Sequence, residues 1–171
     1  MMDGPDRHLL AHAIEAACRG LEEASGDESL PGVSSAGLAD HLVEAAEAFG
    51  IELGAPDSEG PAAADRPARF GAAVSRILDV WDLPELQKAD ADLTPEERRW
   101  VFVNELVVHS WDLGTAGGIP PGVAVACRKA AEAWIDRYRA AGTIGPEQQT
   151  DSARPIDQLA AFFGRPVPGP V

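Results

Sequence analysis

The sequence is poor in cysteine, in long apolar runs, in β-branched clusters and in positive charge. The two cysteines, Cys18 and Cys127, lie far apart and form no C-x-x-C unit. They read as two reduced, buried thiols in a cytoplasmic chain rather than a disulfide or a redox pair. Val and Ile are too scattered to build a sheet. No apolar run approaches the roughly 20 residues that cross a bilayer. The first seven residues carry Asp3, Pro5 and Asp6, and the apolar stretch behind them is broken by His12 and Glu15. No signal peptide is expected from that pattern. Lys and Arg total 14 against 28 Asp and Glu, a net charge of −14. Such a surface repels polyanions, so neither nucleic acid nor an anionic membrane is expected as a partner. The excess of acid serves solubility. No Gly-rich phosphate loop follows a strand. Spacing defines no Ser-His-Asp or Cys-His arrangement.

What the chain does contain is alanine and helical periodicity. Its 171 residues suit one domain that buries about 70% of its unfolded surface, without needing a disulfide or metal merely to fold. Hydrophobic residues make up 45%, with Ala dominant, and Ala has the highest helix propensity. The expected class is all-α. A first helix over residues 6–24 buries Leu10, Ala13, Ile14, Ala17 and Leu21, and the run Ser25-Gly26-Asp27 ends it. After a loop at Pro31-Gly32, Ser34 or Ser35 caps a second helix that runs to Phe49, with Leu38, Leu42, Ala45, Ala46 and Phe49 inward. Residues 54–67, rich in Pro, Gly, Asp and Ala, read as a long surface loop. A third helix spans 68–81, followed by a loop with Pro84 and Asp90-Ala91-Asp92. Thr94-Pro95-Glu96-Glu97 is a capping box that opens a fourth helix running to Thr115. Pro120-Pro121 opens a fifth, which runs to Ala141, and a short sixth covers 155–163. The expected architecture is an antiparallel four-helix bundle with an extra short C-terminal helix, one domain over 1–165, and an extended tail over 166–171.

The fourth helix carries the chemistry. Within Trp100-Val101-Phe102-Val103-Asn104-Glu105-Leu106-Val107-Val108-His109-Ser110-Trp111 stands a single carboxylate, Glu105. An uncompensated carboxylate in so apolar a setting costs several kcal/mol or stays protonated. His109 follows four residues later, so both side chains leave one face about 5–6 Å apart and can reach one ion. His41 on the second helix, read as inward, is the best third ligand. Two His and one carboxylate suit an open zinc site and also resemble the facial triad for ferrous iron. Asp112 can accept the other ring N–H of His109 and fix its tautomer. The same spacing also serves an ion pair or a solvated polar stripe, and His41 alone would serve as a hydrogen-bonded core histidine. His8 and His12 share the i, i+4 spacing but stand with Glu15 and Arg19, and are read as exposed.

At these residues the chain resembles a known family. Glu105-Leu106-Val107-Val108-His109-Ser110-Trp111-Asp112-Leu113 is similar to the E-x-x-x-H-x-W-D-L signature of mycothiol-dependent maleylpyruvate isomerases and related DinB-like proteins. Gly37-Leu38-Ala39-Asp40-His41-Leu42-Val43 resembles the family's histidine-bearing second helix. Residues 155–166, from Pro155-Ile156-Asp157 to Phe163-Gly164-Arg165-Pro166, resemble the C-terminal helix of short metal-binding relatives. The resemblance implies a DinB-like four-helix bundle holding one divalent metal, Zn2+, through His41, Glu105 and His109. It also implies mycothiol or another low-molecular-weight thiol as cofactor or transferred group. Two departures bear on activity. Ser29-Leu30-Pro31-Gly32-Val33-Ser34-Ser35 stands where relatives carry Thr-Pro-Cys-x-x-Trp, and the further C-terminal domain that supplies a catalytic arginine in the true isomerases is not found in these 171 residues. The expected function is a metal-dependent thiol S-transferase or thiol-assisted isomerase acting on a small electrophile. Arg98, Arg99 or the 54–67 loop would contact an anionic thiol. The alternative is a non-catalytic metal- or ligand-binding bundle acting through a partner. A second copy of the chain, as a homodimer, is the candidate protein partner.

Overall fold

The computed structural model describes residues 5–24, 29–30, 33–53, 65–83 and 93–168. These residues form seven α-helices: α1 (Arg7–Glu23), α2 (Ser35–Glu52), α3 (Arg66–Val80), α4 (Pro95–Asp112), α5 (Pro121–Ala131), α6 (Ile135–Ala140) and α7 (Pro155–Phe162). Two residue pairs ahead of α2, β1 (Ser29–Leu30) and β2 (Val33–Ser34), meet antiparallel. The all-α class holds, with this small hairpin as an addition that the sequence pattern did not announce. The helix stop at 25–27, the Pro31-Gly32 loop, most of the 54–67 loop and the Pro84 to Asp92 loop lie outside the described residues, as do residues 169–171 of the tail. Among the described residues, no helix is long and apolar enough to cross a membrane.

Local chemistry explains where the helices begin. Each of the first four starts with a side chain accepting a backbone N–H that has no partner inside the helix. Leu9 N–H donates to Asp6 (2.8 Å), Gly37 N–H to Ser34 (3.0 Å) and Ala68 N–H to Asp65 (3.0 Å). The Asp65 cap, with Pro67 in the first turn, starts α3 ahead of the expected residue 68. At α4 the capping box is complete: Glu97 N–H donates to Thr94 Oγ1 (3.2 Å), and Thr94 N–H donates to Glu97 Oε2 (2.7 Å).

Packing then positions α4. Leu10, Ala13, Ala17 and Leu21 of α1 are buried as expected, and α1 packs against α3 and α4. The contact with α4 is close at Gly20, where a Cβ would stand 2.7 Å from Leu113 Cδ1, and Thr115 Oγ1 donates to Ala16 O (3.1 Å). α2 packs against α3 and α4. Two bidentate ion pairs, Arg66–Asp40 (2.6 and 2.9 Å) and Arg69–Glu47 (3.0 and 2.8 Å), clip α3 to α2. Across the α2–α4 contact, Phe49 stacks on Phe102 with centroids 4.3 Å apart, and His41 meets His109 at 4.9 Å. Going up α2 corresponds to going down α4, so these two helices run antiparallel. α5 and α7 pack on each other and on α4.

The single fifth helix expected over 120–141 is instead two. The backbone leaves helical geometry at Trp134 (φ −132°, ψ −16°), where Ala133 and Trp134 N–H groups donate to the carbonyls three residues earlier. This break seats the buried Trp134 ring edge-on to Tyr138 (5.2 Å) and Phe163 (5.8 Å). Aromatic contacts of that geometry offset the lost helical hydrogen bonds.

Candidate metal centre

α4 presents Glu105 and His109 one turn apart, and the antiparallel pairing of α2 brings His41 opposite them. One ligand-type atom from each lies within 4.8 Å of the others, the one such cluster among the described residues. Glu105 Oε2 stands 2.8 Å from His109 Nε2 and 3.8 Å from His41 Nε2. The imidazole rings of His41 and His109 meet edge-to-face at 84°. An ion with bonds of about 2.0–2.2 Å in tetrahedral geometry needs donor atoms about 3.3 Å apart. The observed separations straddle that value, and two imidazoles with one carboxylate are a normal donor set for zinc. The residues present fit such an ion.

The three side chains differ in burial. His109 is 11% exposed, Glu105 42% and His41 53%. His41 therefore stands at the rim rather than on the inward face that its sequence position suggested. The reason is angular: the buried stripe of α2 is centred on Leu38, Leu42, Ala46 and Phe49, and position 41 falls on its border beside the half-buried Ala45. Leu38 and Leu42 bracket His41 in sequence, but only they enter the core.

Electrostatics ties these groups together. Burial alone would raise the Glu105 pKa, but the His109 ring at 2.8 Å and the charge of His41 at 3.8 Å hold it down at about 2. Burial alone would lower the His109 pKa, but hydrogen bonds to Asp112 and Glu105 lift it to about 9. The metal-free ring therefore carries two protons at neutral pH, one facing Glu105 and one facing Asp112. Asp112 Oδ2 lies 2.9 Å from His109 Nδ1, the contact expected from the sequence. Burial opposes ionisation of Asp112, yet His109 and Arg165 keep its carboxyl below the usual range.

Three residues near the site escaped the sequence reading. Arg165 grips Asp112, with Nη2 to Oδ2 at 3.0 Å. Asp157 of α7 accepts the Trp111 indole N–H at 2.9 Å. Tyr138 of α6 has its phenol pKa raised, first by burial and then by the charge of Glu105. The stretch Phe163-Gly164-Arg165-Pro166 was visible in the sequence, but nothing local linked it to Asp112. Of the two arginines considered for an anionic thiol, Arg99 sits over the Trp81 ring (5.7 Å), whereas Arg98 precedes Glu105 by two turns on the same face. His8 is exposed and His12 half-buried, and neither joins the cluster. Cys127 is fully buried, and burial pushes its thiol up to about 12; Cys18 is half-buried and also raised by burial. The chain matches no protein-family model, no curated protein and no solved structure.

Proposed function

We propose that this chain is a DinB-like four-helix bundle protein that holds one divalent ion, Zn2+, through His41, Glu105 and His109, and uses it with a small thiol of the mycothiol type. In this reading it is an S-transferase or thiol-assisted isomerase acting on a small electrophile. The observation that carries the reading is the convergence of three ligand-type atoms from two helices within 4.8 Å. The packing of α1 and α2 each against both α3 and α4 supports the bundle. A bound divalent cation would supply stabilisation of a thiolate at neutral pH.

The chain's own residues do the rest. Asp112 holds the His109 ring so that Nε2 faces Glu105 and His41. The exposed His41 leaves the outer side of the site reachable from solvent, where a thiol and its reaction partner would approach. Arg98, on the Glu105 face, offers a positive charge to a carboxylate of the thiol. The Tyr138 phenol of α6 has its pKa raised, first by burial and then by the charge of Glu105.

The exposure of His41 and Glu105 also suits a second reading, a non-catalytic metal site through which the bundle meets a partner. One experiment separates the two. Cobalt-loaded protein is titrated with cysteine, glutathione and mycothiol, and then offered a panel of electrophiles. A new thiolate-to-cobalt charge-transfer band, followed by consumption of thiol with an electrophile, is expected. Stoichiometric cobalt with no band for any thiol would favour the second reading. Failure to take up cobalt or zinc at all would overturn both.

A further inference from the structure

The last turn of α4 is gripped at two adjacent residues by the C-terminal end of the described chain. Trp111 donates to Asp157 Oδ1, while Asp157 Oδ2 accepts from Ser152 Oγ at 2.6 Å. Asp112 receives the Arg165 fork: Nη2 to Oδ2 at 3.0 Å, and Nε to both oxygens at 3.3 Å. Arg165 is itself held. Its Nη1 donates to Phe163 O (3.1 Å), and its backbone N–H donates to Ala160 O (3.0 Å). It follows Gly164, whose φ of +82° belongs to the left-handed region, and a Cβ there would meet three backbone atoms of Gly145 at 3.1 Å. The chain thus makes a turn that only glycine fits, and the turn delivers a guanidinium onto a carboxylate 53 residues away in sequence.

A carboxylate touched only by one ring N–H keeps freedom to rotate, and the ring rotates with it. A planar guanidinium fork fixes the plane of the carboxylate as well as its place. Both groups are sheltered, Asp112 with 16% and Arg165 with 28% of the side chain exposed, so solvent screens the pair only partly. We infer that Arg165 is a positioning residue for the candidate metal centre: through Asp112 it sets the rotation of the His109 ring and so aims Nε2 at Glu105 and His41. The inference rests on reading that cluster as a metal site.

Cobalt affinity, measured by competition with a chelator, is compared for wild type, Arg165→Gln, Arg165→Lys, Asp112→Asn and the Arg165→Gln/Asp112→Asn double variant. In parallel, the histidine ring nitrogens of the metal-free proteins are observed by 15N NMR. Arg165→Gln should weaken cobalt binding about ten- to a hundredfold, as loss of a group orienting a ligand does. Arg165→Lys should recover part of that loss. The double variant should bind no more weakly than Asp112→Asn alone, because the arginine acts through the aspartate. A lowered melting temperature with unchanged affinity, or additive losses in the double variant, would overturn the positioning role. If wild type takes up no cobalt, the metal reading fails on its own. The NMR then decides the positioning role: a shifted His109 Nδ1 resonance in Arg165→Gln supports it, and an unshifted one overturns it.

Discussion

Glu105→Gln keeps the shape of the side chain and removes its charge, and the geometry sets what that must cost. The His109 pKa rises from an ordinary 6.5 to about 9. At about 1.4 kcal/mol per tenfold, the fold favours the charged ring by roughly 3 kcal/mol, net of the burial that opposes it. Asp112 and Glu105 share that sum. Glu105 is 42% exposed, so solvent screening reduces its share to about 1 kcal/mol. The pH window follows from the signs. A raised histidine contributes stability fully below 6.5 and loses it as pH climbs through about 9. A depressed carboxylate contributes fully above 4.5 and loses it as pH falls through about 2. The pair is therefore complete between 4.5 and 6.5. Urea unfolding of chelator-treated protein should show Glu105→Gln less stable than wild type by about 1 kcal/mol near pH 5.5, with the gap closing by about pH 10. In saturating zinc near neutral pH, a ligand role adds a further loss, about 2.7 kcal/mol for each hundredfold in affinity. A gap of the same size with and without zinc would refute the ligand role. A metal-free gap that persists at high pH would refute the pairing itself.

Three other outcomes are expected. Zinc binding near pH 7.5 should release roughly one proton from His109, with affinity rising about tenfold per pH unit below about 9; calorimetry in buffers of different ionisation enthalpy measures this, and no release would remove His109 from the ligand set. His41→Ala should lose most metal affinity, while His8→Ala and His12→Ala keep it; a His41→Ala protein that retains zinc under equilibrium dialysis would exclude His41 as a ligand. Gly164→Ala should lower stability by about 1–3 kcal/mol, because it strains a positive φ and drives a methyl against the Gly145 backbone; an unchanged urea midpoint would contradict the close approach.

What could be read from the sequence followed the range of the interactions. Thr94 and Glu97 bond to each other's backbone, so the start of α4 was visible in four letters. The Glu105–His109 spacing places two side chains together by helix geometry alone, and they stand together at 2.8 Å. His41 reaches them only because α2 lies antiparallel to α4, and its exposure depended on where the α2 stripe ends. The break at Trp134 was invisible because Val123, Ala124, Cys127, Ala130 and Ala131 keep helical periodicity up to it, and the tertiary seat of the indole ends the helix. Arg165 meets Asp112 through a left-handed glycine packed on another glycine, a contact with no local signature. The largest change of sign concerns Glu105 itself. In sequence it reads as a buried charge short of a partner, whereas in the fold His109 contacts it at 2.8 Å, His41 stands 3.8 Å away, and together they hold its pKa near 2.

Glu105, His109, Asp112 and Arg165 form a row of alternating charge, each in contact with the next at 2.8, 2.9 and 3.0 Å. Without an ion the row is already satisfied, so the mere presence of a carboxylate and histidines in an apolar setting does not demand a metal. An ion taking His109 Nε2 replaces the proton that binds Glu105, and leaves Asp112 with Arg165 as its one full positive partner. The metal-free row is strongest at mildly acid pH, where His109 is charged, and the loaded site is strongest where the ring has lost that proton. Stability without metal and affinity for metal should therefore run in opposite directions as pH rises from about 6.5 to about 9. A purely structural ion pair has only the first of these two trends.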